Sequence, residues 1–169
     1  MKLKQVFILL FSVLSIGGLA WYTMYIINSN NKPAGELIDF AISDTSSITK
    51  IKITDPYSRS IELIRQNKTW TDEKGGCITQ GLVHNILDVA KNIEFKGYLP
   101  EKSHKTFKEK MSSYHTKVEF FVKNKWYKTW YIGPSTQDHY GQIMLLDGKE
   151  SGKSAAPVMM KIKGVHGII

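Results

Sequence analysis

Cysteine is nearly absent: Cys77 is the one such residue in 169. A single cysteine excludes an internal disulfide, so Cys77 is expected as a small, partly buried side chain rather than an intermolecular thiol. Its position excludes a lipobox, and with it a lipoprotein anchor. Also missing are a Gly-rich phosphate loop, a nucleophile elbow and a paired-carboxylate signature; Gly75-Gly76 is simply loop. The five histidines, His84, His104, His115, His139 and His166, include no metal-ligand spacing such as His-Glu-x-x-His. No catalytic residue, metal ligand or cofactor is therefore assigned, and the chain is read as not being an enzyme.

Acidic residues are the scarcer charge, 15 against 23 Lys and Arg, giving a net charge of +8. The scarcity is not uniform along the chain. Val6 to Ile27 contains no charged residue at all. Those residues would make a helix of roughly 33 Å, enough to cross a hydrocarbon core of about 30 Å. The sequence thus predicts a cytoplasmic stretch over 1–5 and a transmembrane helix over 6–27, anchored by Val6, Phe7, Leu10, Leu14, Leu19, Trp21, Tyr25 and Ile27. Lys2 and Lys4 precede it and Trp21, Tyr22 and Tyr25 gather at its other end, which orients the N-terminus inward and exports the remainder. The competing reading is a cleaved signal peptide, with Val6 to Ile16 as its apolar region and Gly18-Leu19-Ala20 before the cut. Against it, Trp21 to Ile27 continues the apolar run.

Residues 28–36 are rich in turn formers and read as a linker. A domain over 37–169 follows. Strands are expected at 37–42 and 47–54, the second alternating Ile51 and Ile53 against Lys50 and Lys52. Asp55-Pro56-Tyr57-Ser58 turns the chain into 60–65, completing a hairpin, with Trp70 over its apolar face. Leu82, Val83, Ile86, Leu87, Ala90 and Ile93 recur at helical spacing, predicting a helix over 79–95 with Thr79 as N-cap. A more polar helix follows over 102–113, carrying Phe107 and Met111 inward. A second hairpin pairs 116–122 with 126–132, and further strands at 142–146 and 157–162 extend it into a meander. Thr49 to Ile53 and Thr116 to Phe120 share the faint likeness that a duplicated hairpin would leave. The fold class is α+β: one N-terminal transmembrane helix, then a β-rich domain of antiparallel hairpins with two packed helices. The chain stops on apolar residues at Ile169, so either it continues in nature or this end docks on the domain.

Two segments invite a functional reading. The loop from Ser135 to Tyr140 gathers Ser135, Asp138 and His139, but neighbouring Asp and His on extended backbone point to opposite faces, a poor start for a Ser, His and Asp relay. The hairpin residues Trp126, Tyr127, Lys128 and Trp130 combine aromatic and basic character and are the candidate partner contacts. Charge together with aromatics would suit nucleic acid in another compartment; export excludes that partner and leaves anionic lipid or an acidic protein.

The segments Phe40 to Ile51, Ile61 to Arg65 with Trp70, Lys117-Val118-Glu119, Tyr131-Ile132-Gly133 with Gln137 to Gly141, and Lys163 to Gly167 together resemble an uncharacterised family of membrane-anchored Bacteroidota envelope proteins. Its members carry a domain of unknown function also found beside gliding-associated ABC transporter components. The resemblance implies an envelope location, a β-rich fold with helices packed on the sheets, and a chain that runs on past the last Gly-rich motif. It carries over no catalytic residue. The expected role is a non-enzymatic accessory subunit in the inner membrane, its periplasmic domain bound to a larger complex in transport, secretion or gliding. The alternative is a ligand-binding or hydrolytic domain acting on envelope material.

Overall fold

The computed structural model describes residues 14–24 and 38–164. The chain divides into two units, Met1–Glu36 and Leu37–Ile169.

In the first unit, residues 14–24 form a helix, α1, in which Thr23 Oγ1 reaches back to the carbonyl of Leu19 at 2.9 Å. Here the expected transmembrane helix must be corrected. Among the described residues, no helix is long and apolar enough to cross a membrane. At about 1.5 Å per residue the described part of α1 spans near 16 Å, about half a hydrocarbon core. Of the expected anchor residues, Leu14, Leu19 and Trp21 lie on α1 and are exposed. Val6, Phe7, Leu10, Tyr25 and Ile27 lie outside the described residues, as do the expected cytoplasmic stretch, the linker and residues 165–169.

The second unit is built on one antiparallel sheet. Its strands are β1 (Ile48–Thr54), β2 (Ser60–Gln66), β3 (Thr69–Asp72), β4 (Ile93–Tyr98), β5 (Thr116–Val122), β6 (Lys125–Ser135), β7 (Gln142–Gly148), β8 (Gly152–Lys153) and β9 (Val158–Ile162). The order across the sheet is β3-β2-β1-β5-β6-β7-β9-β4, with β8 beside β7. Helices α2 (Gln80–Asn92) and α3 (Glu101–Ser113) complete it.

Alternation within the strands assigns each helix a face. Trp130, Met144, Leu146, Val158 and Met160 point to a core closed by Val83, Leu87 and Ala90 of α2. Their neighbours Tyr131, Ile143, Leu145 and Met159 point the other way, to a smaller cluster holding Met111 and Phe107 of α3. Successive strand residues face opposite sides, so β6, β7 and β9 are apolar on both, as a strand covered twice must be.

Several expectations change. Residues 38–42 form no strand; Phe40 and Ile42 are buried in the α2-side core, and the Ile42 amide donates to the carbonyl of Ala90 at 2.8 Å. The helix expected over 79–95 ends at Asn92, where Ile93 turns extended (ψ 134°) and begins β4, paired with β9. β4 was hidden because Ile93 fits the helical spacing of α2, while the β9 residues it pairs with lie sixty or more positions on. Thr79 occupies the N-cap position without a side-chain hydrogen bond. The start of α2 is fixed instead by Gln80, whose amide accepts from the Trp70 N–H (2.9 Å) and donates to the Trp70 carbonyl (2.8 Å), clamping helix to β3. Cys77 is exposed rather than partly buried.

Candidate functional site

Two surfaces carry organised chemistry. The first is a cleft of about 450 Å³ between the N-terminal half of α3 and the β6–β7 loop. The loop closes on itself: the Thr136 amide donates to the Gly141 carbonyl (2.8 Å) and the His139 amide to the Thr136 carbonyl (3.0 Å), with His139 in the left-handed region at φ 58°. Asp138 is its hub. Its Oδ1 accepts from Thr136 Oγ1 at 2.5 Å and from the Tyr140 amide at 3.1 Å, and Lys96 of β4 donates to both carboxylate oxygens at 2.7 and 2.6 Å. The Lys96 bond, then the Thr136 hydroxyl and the Tyr140 N–H, hold the Asp138 carboxyl well below the ordinary carboxylate range. A Cβ at position 141 would lie 2.8 Å from Lys96 Cδ and 2.9 Å from the Met160 carbonyl oxygen, so glycine there lets the lysine stem lie across the loop.

This arrangement is a lock rather than a relay. Asp138 is spent on Lys96, and the imidazole of His139 takes no part in the bonds that hold the loop. Ser135 Oγ approaches Gln142 Oε1 at 3.4 Å rather than any histidine. The cleft floor is apolar (Leu99, Phe107, Ile143, Met159), its rim carries Ser103, Ser135 and Gln137, and its one cation and one anion cancel. Such a lining suits a neutral, hydroxyl- or amide-bearing ligand. Lys96 escaped the sequence reading because β4 passed for the tail of a helix. Among the described residues, no group of three His, Cys, Asp or Glu side chains could hold a metal ion.

The second surface is the α3-side face of β2, β1 and β5. The apolar contacts of α3 are with β6, β7 and β9, so among the described residues of the Leu37–Ile169 unit no helix lies over this face. Cross-strand pairs set its chemistry: Lys52 lies opposite Glu62 on one side, and opposite Glu119 on the other. Glu62 bridges Lys52 (3.0 Å) and Lys50 (3.3 Å), and Lys117 pairs with Glu119 at 2.9 Å. Hydrogen bonding from Lys52, followed by that from Lys50, lowers the Glu62 carboxyl below its usual range, and Glu62 in turn raises Lys52. Lys50 Nζ sits 4.3 Å from the centre of the Phe121 ring.

Of the four expected contact residues, Trp126 belongs to this face. A bulge shifts the register so that it pairs with Phe121, and its Nε1 donates to Thr129 Oγ1 at 2.8 Å. Tyr127 is half-buried against the opposite, α2-side core. Lys128 and Trp130 are 1% and 3% exposed and cannot touch a partner, which corrects the reading of all four as one surface. Lys128 Nζ donates inside the protein to the carbonyls of Asp39 and Ala41, both at 2.7 Å, and to Asp39 Oδ2 at 2.9 Å.

No protein-family model matches the chain, and neither a curated protein nor a solved structure shows significant similarity to it.

Proposed function

We propose that the Leu37–Ile169 unit is a non-enzymatic binding subunit that docks on a larger protein assembly of the cell envelope, the setting implied by the family resemblance. The observation that carries this reading is the helix-free face of β2, β1 and β5. An apolar pair, Phe121 and Trp126, sits there among lysines and glutamates already held in place by one another. Side chains fixed before binding lose little entropy on docking, and an aromatic anchor ringed by charge is the usual composition of a protein contact.

The test is mild purification of the tagged full-length chain with identification of what accompanies it. A reproducible stoichiometric complex is expected, weakened at least tenfold by Trp126→Ala and by Glu62→Lys, both with unchanged circular dichroism. Recovery of the protein alone in full yield, or a complex indifferent to both substitutions, would overturn the reading.

A second reading is favoured by the cleft, whose size falls within the range of about 300–1,000 Å³ common to small-molecule sites. It makes the unit a receptor or hydrolase for envelope material. If Asp138→Ala combined with His139→Ala leaves the cellular phenotype intact, that reading fails.

A further inference from the structure

Where α3 ends its coverage of the sheet, a second hollow opens between the C-terminal half of that helix and β8. It is lined by Lys108, Met111, His115, Tyr131, Leu145 and Lys153, among others, and has a volume of about 240 Å³. The geometry points to a notch that receives a carboxylate flanked by an apolar side chain, supplied by an acidic peptide segment of the docking partner.

Three observations carry this. First, the hollow is electropositive without compensation: no Asp or Glu lines it, and neither Lys108 nor Lys153 forms an ion pair among the described residues. This sets it apart from the larger cleft, where Lys96 and Asp138 neutralise each other at 2.6 Å. Two ammonium groups without a counter-charge at the rim of one hollow attract an anion more strongly than either alone. Second, His115 has a defined tautomer. Its Nδ1 lies 2.6 Å from the carbonyl oxygen of Met111, which can only accept, so Nδ1 carries the hydrogen. The ring is also held against Tyr131, 5.4 Å between centroids. Nε2 has no hydrogen bond among the described residues, and the ring lines the hollow. Third, the floor is apolar, formed by Met111 and Leu145, and the volume is below the range of about 300–1,000 Å³ typical for small-molecule sites. It matches one apolar side chain with an adjoining carboxylate rather than a cofactor or a lipid.

Position supports the same source. Tyr131 lies opposite Lys117 on β5 and opposite Leu145 on β7, so the notch continues the helix-free face and a partner resting there reaches it without a break. The inference rests on the docking reading for the origin of the carboxylate, not for the chemistry of the notch.

The test titrates the isotope-labelled full-length chain with N-acetyl-L-leucine, using N-acetyl-L-leucinamide as the uncharged control, and follows amide resonances. The expected result is perturbation centred on His115, Leu145 and Lys153, with the acid bound at least tenfold more tightly than the amide. That preference should fall with added salt and vanish in the Lys108→Gln, Lys153→Gln double variant, whose exposed lysines can be replaced without unfolding the protein. Equal binding of acid and amide, or perturbation confined to other parts of the sheet, would overturn the notch. If the probe fails while the purified complex forms, the notch falls and the docking reading stands. If the probe binds and no complex forms, the notch stands and its partner-protein source falls.

Discussion

Lys128 holds an ammonium group inside the α2-side core, and the energetics of that choice can be divided between its acceptors. The Asp39 side chain is 56% exposed, so water screens its charge and the ion pair is worth at most about 1 kcal/mol. The carbonyls of Asp39 and Ala41 meet the ammonium of a lysine that is itself 1% exposed, and an unmet buried acceptor costs about 1–3 kcal/mol. Lys128→Met is therefore expected to lose about 2–4 kcal/mol and Asp39→Asn less than about 1 kcal/mol, as read by urea unfolding. Equal losses would show that the carboxylate, not the carbonyls, anchors the lysine. Strand parity puts Lys128 on the same side as Trp130, and that much is legible in the sequence. Its acceptors, 89 and 87 residues away, are not. Asp138 gives a second prediction at this scale. Its folded pKa is lowered by Lys96 and Thr136, so the stabilisation is complete above the unfolded value near 3.8 and drains away as pH falls below it. Melting temperatures of the wild type and Asp138→Asn should differ at pH 7 and the gap should narrow steadily as pH falls below the unfolded value; a gap as wide at pH 2 as at pH 7 would refute the linkage.

The two helices are held unequally. α2 buries Val83, Leu87 and Ala90 and is clamped by Gln80, whereas α3 buries Met111 alone and has hollows along its sides. The close seat of Met111 depends on Gly133: a Cβ there would lie 2.8 Å from Met111 Cγ and 3.1 Å from the Ile143 carbonyl oxygen. Gly133→Ala should cost about 1–3 kcal/mol through overpacking. It should also speed amide exchange in α3 while leaving β1 and β5 protected, a split that hydrogen exchange can read. Uniform acceleration would mean that α3 and the sheet open together. Elements whose period matches their environment, such as β1, β5 and α3, are visible in the sequence to within a residue or two. β4, made a strand by the remote β9, is not visible there, nor are the short β3 and β8, which pair with their chain neighbours; 38–42, expected within a strand, is drawn into the core without a ladder.

At the scale of the molecule, the sheet has a centre. β1 and β5 pair antiparallel, with Lys52 opposite Glu119, Ile51 opposite Phe120 and Ile53 opposite Val118. Under the likeness between residues 49–53 and 116–120, Lys52 and Glu119 are equivalent positions, so the two hairpins meet about a local two-fold axis and extend outward as β2-β3 and β6-β7. Faint similarity between the hairpins thus corresponds to a symmetric junction, although their pairing across more than sixty residues could not be read from either alone. The junction does not close the core by itself, because Phe40 and Ile42 plug it from a segment outside the sheet. A chain beginning at Leu37 is expected to unfold cooperatively, with the near-ultraviolet spectrum of the full protein. One beginning at Thr45 gives up two buried side chains, about 1.5–3 kcal/mol each, and strands Lys128 without acceptors for about 2–4 kcal/mol more. The sum, about 5–10 kcal/mol, is comparable with the whole stability of a domain this size, so the shorter chain should lack a cooperative transition. A sharp melt from it would show that the sheet and α2 carry the fold unaided, and that the plug is dispensable.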